Sequence, residues 1–297
     1  MILNHKSRAR IGLTGAKGVL GRTLQSEWTD AEWIIFQGDV RDLAALKNWY
    51  ESVGILDGMF HFAAVVPTHK IVSEPLLGLK SNVEGTLNLL EVLRVNLVEH
   101  KRQPWFFFAS TSHVYKSNDL PLSEDAALEP MSLYGLTKLQ AEEWVRVYSK
   151  EFGLKSCIGR IFSYTSSLQP ESYFIPSLIK KVIAAEKGAK LEIPGLHGTR
   201  DFLDAKSIVQ TVGRLFEQKA EGVFNIGSGK PQRLLDMANE VCRVLKREDV
   251  QIVPLEKGTA HLNANTTKLN AIGIKPEFDL KRLIEDVCET QLKLPKN

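Results

Sequence analysis

The chain is poor in sulfur that could cross-link it. Its three cysteines, Cys157, Cys242 and Cys288, are odd in number and far apart in 297 residues. That set excludes a disulfide framework and a zinc site, and a reducing, cytoplasmic setting is the expectation. No apolar run approaches the ~20 residues of a membrane span. The opening Met-Ile-Leu-Asn-His-Lys-Ser-Arg-Ala-Arg lacks the apolar core of a signal peptide. An excess of one charge is also missing, since 38 Lys and Arg against 35 Asp and Glu leave +3. With no basic run interleaved with aromatics, neither nucleic acid nor membrane is an expected partner. What remains is a globular composition, 43% hydrophobic and 25% charged, in a chain long enough for one large domain or two. No internal repeat or low-complexity tract is visible.

Strand-like and helix-like segments alternate through the first 160 residues. Strands are expected at 8–13, 33–36, 58–64, 104–110 and 155–162. Helices are expected at 19–28, 40–52, 81–99 and 134–151, with Val83, Leu87, Leu90, Leu93 and Leu97 at helical spacing in the third. Asp39 reads as the cap of the second helix, with Asp42 in its first turn. This alternation predicts an α/β fold, a doubly wound parallel sheet covered on both faces. After residue 163 the rhythm becomes irregular, as expected of a smaller lobe.

Residues 12–21, Gly-Leu-Thr-Gly-Ala-Lys-Gly-Val-Leu-Gly, join the first strand to the first helix. In that context Gly15 makes the tight turn, Gly18 lets a pyrophosphate approach the backbone, and Gly21 lets helix pack on strand. Free N–H groups at the helix start favour phosphate charge. A turn that binds nothing has the same glycines, so the motif needs a second one. Tyr134 and Lys138 supply it, four residues apart on one face of a helix start. A nearby cation favours the phenolate, which suits a tyrosine to proton transfer at a hydroxyl or ketone. Ala109-Ser-Thr-Ser-His-Val-Tyr115 ends a strand with hydroxyls at the carboxyl edge, where ligands bind.

With these pieces the chain resembles the extended short-chain dehydrogenase/reductases of the nucleotide-sugar epimerase, dehydratase and reductase group. The resemblance covers nearly the whole length. The glycine loop is followed by Gly38-Asp-Val-Arg-Asp42, His61-Phe-Ala-Ala64 and Asn82-Val-Glu-Gly-Thr86. Next come the Thr111–Tyr115 segment, Tyr134-Gly-Leu-Thr-Lys138, Gly198-Thr-Arg-Asp-Phe-Leu-Asp204 and Val223-Phe-Asn-Ile-Gly-Ser-Gly229. The resemblance implies a Rossmann-type domain over 1–162, with returning segments near 201–228. A substrate-binding lobe would comprise 163–200 and 229–297. NAD or NADP would be held by Gly15, Lys17, Gly18, Val19, Leu20, Gly21, Asp39, Val40, Ala63, Ala64, Asn82, Tyr134 and Lys138. Thr111 would hydrogen-bond the reacting oxygen, Tyr134 would be the acid/base, and Lys138 would hold the nicotinamide ribose and lower the tyrosine pKa. Ser112, His113, Tyr173 and Arg200 would meet a nucleoside-diphosphate sugar, Arg200 through its phosphates. A surface ion pair with Asp201 or Asp204 is the plain alternative for Arg200. A homodimer through the helices at 81–99 and 134–151 is also implied.

Several departures shape the functional reading. Dehydratases of the group carry Asp-Glu after the hydroxyl residue, whereas this chain has Ser112-His113. In reductases that also epimerise, the place of His113 holds a cysteine, so His113 is either a base acting at carbon or a hydrogen-bonding wall of the sugar pocket. The remaining histidines (His5, His61, His69, His100, His197, His261) have no metal-ligand spacing, and His61 is expected near the adenine or in the core. Between Gly21 and Asp39 there is room for only one helix and one strand, where the group has one more of each. Asp39 therefore reads either as the ribose-binding acid or as an adenine contact, while Lys17 and Arg22 could meet a 2′-phosphate, so NAD and NADP both stay open. Ser163 replaces an asparagine after Arg160, and Lys257 stands near where a pyrophosphate-clamping arginine is expected. The leading expectation is a 4-keto-sugar reductase, with or without an epimerising step through His113. An epimerase with tightly held NAD and a non-catalytic dinucleotide-binding protein are the alternatives. Intact Thr111, Tyr134 and Lys138 argue against the last.

Overall fold

The computed structural model describes residues 8–66, 68–101, 103–256 and 260–293. The first strand, β1 (Arg10–Thr14), leads through the glycine turn into α1 (Val19–Glu27), and β2 (Glu32–Ile35) and α2 (Leu43–Val53) precede β3 (Gly58–His61). Two short helices, α3 (Thr68–Ser73) and α4 (Pro75–Gly78), run through a π-helical turn (Leu79–Glu84) into α5 (Gly85–His100). Then come β4 (Trp105–Thr111), a 3₁₀ turn (Ser112–Val114), α6 (Leu133–Phe152), β5 (Ser156–Ile161) and β6 (Ser163–Thr165). The later elements are α7 (Phe174–Ala184), β7 (Lys190–Pro194), β8 (Thr199–Asp204), α8 (Ala205–Glu217) and β9 (Gly222–Ile226). The described chain ends with β10 (Pro231–Arg233), α9 (Leu234–Val244), β11 (Gln251–Leu255), β12 (His261–Leu262), α10 (Thr267–Ala271) and α11 (Leu280–Lys293).

The main sheet has the order β2-β1-β3-β4-β5-β9. Its central strands are apolar on both faces and buried along their length, as a sheet between helix layers requires. β1 pairs parallel with β2 on one side and β3 on the other, and β3 with β4. This is a Rossmann-type sheet, and the chain reverses direction of travel at β1, whose carboxyl end is therefore a switch point where ligands bind. Only β2 lies beyond β1, which is the physical outcome of the short Gly21–Asp39 stretch.

Contacts divide the chain into two compact units. The first comprises Met1–Val114, Pro130–Arg160 and Val212–Phe224. Its core packs Leu46, Leu89, Leu93, Phe106, Phe108, Val145 and Ile158, with an aromatic group of Trp28, Trp33, Phe60, Trp105 and Phe216 around the other face of β3. The second comprises Tyr115–Glu129, Ile161–Thr211 and Asn225–Asn297. There α7, α9 and α11 enclose Ile179, Met237, Val241, Ile284 and Val287. The irregular rhythm of this region thus hides three amphipathic helices, connected by strands of two to six residues. Among the described residues no helix is long and apolar enough to cross a membrane.

Two expectations need correction. The helix expected from Val40 with Asp39 as cap begins at Leu43, and Asp42 caps it by accepting the Ala45 N–H at 2.9 Å. Asp39 instead turns to Arg41, accepting its backbone N–H at 2.9 Å and binding its guanidinium through both oxygens. The continuous helix expected over 81–99 opens as a π turn before α5 begins at Gly85.

Candidate active site

The glycine turn is built as its spacing requires. Gly15 sits at φ +76, and a Cβ there would lie 2.5 Å from the Ala63 nitrogen. A Cβ on Gly21 would collide with the Gly15 carbonyl oxygen, whereas one on the exposed Gly18 meets that oxygen at 3.3 Å and little else. Gly18 caps α1, whose first turn carries no acidic residue, and Lys17 beside it is exposed. Val19 and Leu20 follow as the first helical residues, Leu20 buried. An uncovered helix start, shaved of side chains and flanked by a cation, fits the pyrophosphate of a dinucleotide. Ala63 and Ala64 leave the end of β3 half-buried, and the Ala63 N–H reaches Thr14 Oγ1 at 3.4 Å. Val40 is buried against Gly85 at the start of α5. The Asp39 carboxyl, held below its usual range by hydrogen bonding to Arg41, is exposed.

Thr111, Ser112, His113, Tyr134 and Lys138 all belong to the first unit and gather where β4 ends and α6 begins. Ser132 starts α6 by accepting the Gly135 N–H at 3.1 Å. Gly135 allows the close approach: a Cβ there would collide with the His113 carbonyl oxygen. As a result the His113 ring stands edge-on to the Tyr134 ring, with centroids 6.0 Å apart. The His113 N–H donates to Thr111 Oγ1 at 3.3 Å, so the 3₁₀ turn is tied to the hydroxyl at the strand end. Thr111 and Ser112 are both buried. Lys138, one turn beyond Tyr134, is buried with its ammonium 4.0 Å above the Phe108 ring. Burial brings its pKa down from 10.5 to about 7, against the opposing pull of Glu142.

Two buried polar assemblies support this group, and neither was foreseen in the sequence. Asn82, in the π turn, receives the Val65 N–H at 2.7 Å and donates to Val65 O and to Thr137 Oγ1, both at 3.0 Å. Thr137 in turn donates to the Tyr134 carbonyl at 2.9 Å. Behind Lys138, Glu142 binds Arg160 at 2.8 Å with both side chains fully buried, and it accepts the Ser110 hydroxyl. The signals were present: Asn82 and Thr86 are one helical turn apart, as are Lys138 and Glu142.

Tyr173 and Arg200 belong to the second unit. Tyr173 precedes α7 and burial raises its pKa. Arg200 lies on β8 and donates to the Thr199 carbonyl at 2.9 Å and to the Ala260 carbonyl. The Asp201 carboxylate beside it turns to another loop, accepting from Ser228 and Gly229 at 2.7 Å. Lys257 lies outside the described residues.

The family model of GDP-mannose 4,6 dehydratase matches residues 16–286. The chain belongs to that family, within the extended short-chain dehydrogenase/reductases. Relatives of the chain carry more than one activity in their names. A putative UDP-glucose 4-epimerase of Methanocaldococcus jannaschii is 28% identical over 265 residues, covering 84% of this chain and 81% of that one. A GDP-6-deoxy-D-mannose reductase of Pseudomonas aeruginosa is 24% identical over 298 residues, covering 94% and 95%. In fold, the structure of RMD from Pseudomonas aeruginosa complexed with NADPH superposes with a TM-score of 0.84 at 23% identity, covering 95% and 98%. The family membership thus establishes an NAD(P)-dependent nucleotide-sugar epimerase, dehydratase or reductase.

Proposed function

We propose that the protein is a reductase that uses NAD(P)H on a keto group of a nucleoside-diphosphate sugar, with Tyr134 as the acid. The observation that carries this reading is the gathering of Thr111, His113 and Tyr134 around one turn, with Lys138 directly behind. The glycine turn with Gly15, Lys17, Gly18, Val19, Leu20 and Gly21 would hold the pyrophosphate, and Ala63, Ala64 and the ribose-binding Lys138 the rest of the dinucleotide, while the buried Asn82, expected as a cofactor contact, holds the Val65 backbone instead. When bound, that cofactor supplies the hydride. The Tyr134 phenol gives its proton to the sugar oxygen, which Thr111 holds by a hydrogen bond. Lys138, when charged, favours the phenolate that remains. Water elimination is disfavoured as the activity, because Ser112 and His113 provide no carboxylate beside Thr111.

Arg200 on β8 and Tyr173 before α7 are assigned to the sugar nucleotide. Arg200 supplies a planar fork for the phosphates. His113, edge-on to Tyr134, is assigned the proton transfer at carbon that epimerisation requires. Replacing it by alanine is expected to stop exchange of a carbon-bound proton with solvent; continued exchange would return His113 to the pocket wall.

Turnover of a 4-keto nucleoside-diphosphate sugar with NADPH or NADH tests the main reading. Tyr134→Phe is expected to abolish it while leaving dinucleotide affinity within about twofold, because only the phenolic oxygen is lost. Unchanged turnover would sink the assignment. The related epimerase sharpens a second reading, in which NAD stays bound through a closed redox cycle. Mass spectrometry of the nucleotide released on denaturation separates the two, since stoichiometric NAD favours the epimerase and reversible binding of NADPH or NADH the reductase.

A further inference from the structure

His61 is fully buried at the end of β3, yet the functional reading gives it nothing to do. Its ring stacks on Phe106 and Phe108, with centroids 6.4 and 5.9 Å away. Both ring nitrogens are engaged: Nδ1 lies 2.6 Å from Thr14 Oγ1, and Nε2 lies 3.0 Å from Thr86 Oγ1. The remaining contacts determine which atom donates. The single Thr86 hydroxyl proton goes to the Asn82 carbonyl at 2.7 Å, so Thr86 Oγ1 can only accept from the ring. Nε2 therefore carries the imidazole proton. A neutral ring then has an unprotonated Nδ1, and the Thr14 hydroxyl must donate to it. Burial holds the ring neutral, with its pKa brought down from 6.5 to about 3, and the Lys138 ammonium adds to that effect.

The chain of bonds has one direction and two ends. One end is Thr14, the residue before Gly15 of the glycine turn. The other runs from Thr86 to Asn82, and from the Asn82 amide through Thr137 to the Tyr134 carbonyl. Every side chain in it is buried. We infer that His61, locked as the Nε2–H tautomer between Thr14 and Thr86, is a positioning residue that sets the distance between the glycine turn and the helical turn carrying Tyr134. This rests on the reading of Tyr134 as the acid. In a reaction between a bound dinucleotide and a sugar, that distance governs the approach of the reacting atoms, and a misplacement of about 1 Å costs on the order of a hundredfold in rate.

The test has one arm without turnover and one with it. Nitrogen NMR of ¹⁵N-histidine-labelled protein is expected to give an unprotonated Nδ1 and a protonated Nε2 for His61, unchanged between about pH 5 and 8. An Nδ1–H tautomer, or titration within that range, overturns the inference. His61→Phe keeps the stack on Phe106 and Phe108 and removes both hydrogen bonds. It is expected to lower kcat by roughly tenfold to a hundredfold, with KM for the sugar nucleotide within about twofold. His61→Gln, which can still donate and accept, should restore part of kcat. Wild-type kcat in His61→Phe overturns the inference. Thr86→Val is expected to give the same loss, and it carries the kinetic arm if His61→Phe does not fold. Tyr134→Phe in the same assay separates the two failures: if that variant stays active, the reading of Tyr134 is wrong whatever the NMR arm returns.

Discussion

Burying Lys138 to 2% exposure sets a conflict between fold stability and chemistry. Its amine is pushed down from 10.5 to about 7 by desolvation, and the Glu142 carboxylate one turn on opposes that push. Below about pH 7 both native and unfolded chains carry this charge, and the full cost of burying it weighs on the fold. Between about 7 and 10.5 the native amine is neutral while the unfolded one is still protonated, so stability rises with pH through that window. Lys138→Met removes the cost, and with it the charge assigned to the ribose. Its thermal midpoint is expected to exceed the wild type at pH 6, by up to on the order of 5 kcal/mol in stability, with the gap closing as pH approaches 10. Differential scanning calorimetry across that range checks it, and a gap that does not vary with pH would refute the buried-cation account. Gly135 offers a second check nearby. Gly135→Ala must drive the His113 turn away from α6, because the new methyl collides with the His113 carbonyl. Turnover is expected to fall by roughly a hundredfold, while far-UV circular dichroism stays that of the wild type; retained turnover would mean that the His113–Tyr134 spacing does not matter.

The helix α6 is held to the sheet by an assembly that a sequence reader passes over. Glu142 takes the Arg160 guanidinium of β5 and the Ser110 hydroxyl of β4, and Arg146 one turn later reaches the same carboxylate at 3.0 Å. With Glu142 and Arg160 fully buried, removing one charge leaves the other without compensation in a low-dielectric core. Glu142→Gln is therefore expected to cost about 3–5 kcal/mol in urea unfolding, and the double variant Glu142→Leu with Arg160→Met to recover much of it. A single variant within about 1 kcal/mol of wild type would show the pair to be solvated. Nothing in Glu142 or Arg160 marks them as buried, because their periodicity is that of any charged residue on a helix or strand. Hydrophobic runs are more legible: β1 to β5, α1 and α6 fall within three residues of where spacing puts them. The π turn was invisible because its apolar residues match an α-helix, and the cap moved from Asp39 to Asp42 because Arg41 competes for the nearer carboxylate. In the candidate site, Thr111, His113, Tyr134 and Lys138 could be picked out because strand end and helix start are separately legible. The relay through His61 could not, since it depends on three threonines whose partners are 25 to 55 residues away.

The outer face of α6 leaves apolar area that the described chain does not cover. Leu133, Leu136, Trp144 and Val147 are each 40–42% exposed and fall on one side of the helix, in two pairs with the polar Gln140 between them. Such a row on a surface helix marks an interaction site. A helix can meet its own copy across a two-fold axis, each residue contacting its counterpart region, and no second surface has to be complementary. Pairing of two chains through α6 is the arrangement we expect. It would brace the helix whose first turn carries Tyr134, so assembly and activity should be linked. Light scattering after size exclusion is expected to give twice the 33.3 kDa chain mass. Trp144→Lys combined with Val147→Lys should give the single-chain mass, since two like charges would face their copies in a surface emptied of water. Turnover in that variant should rise with protein concentration if residual pairing restores it. A wild-type protein that runs at the single-chain mass at every concentration would leave the α6 row to some other partner.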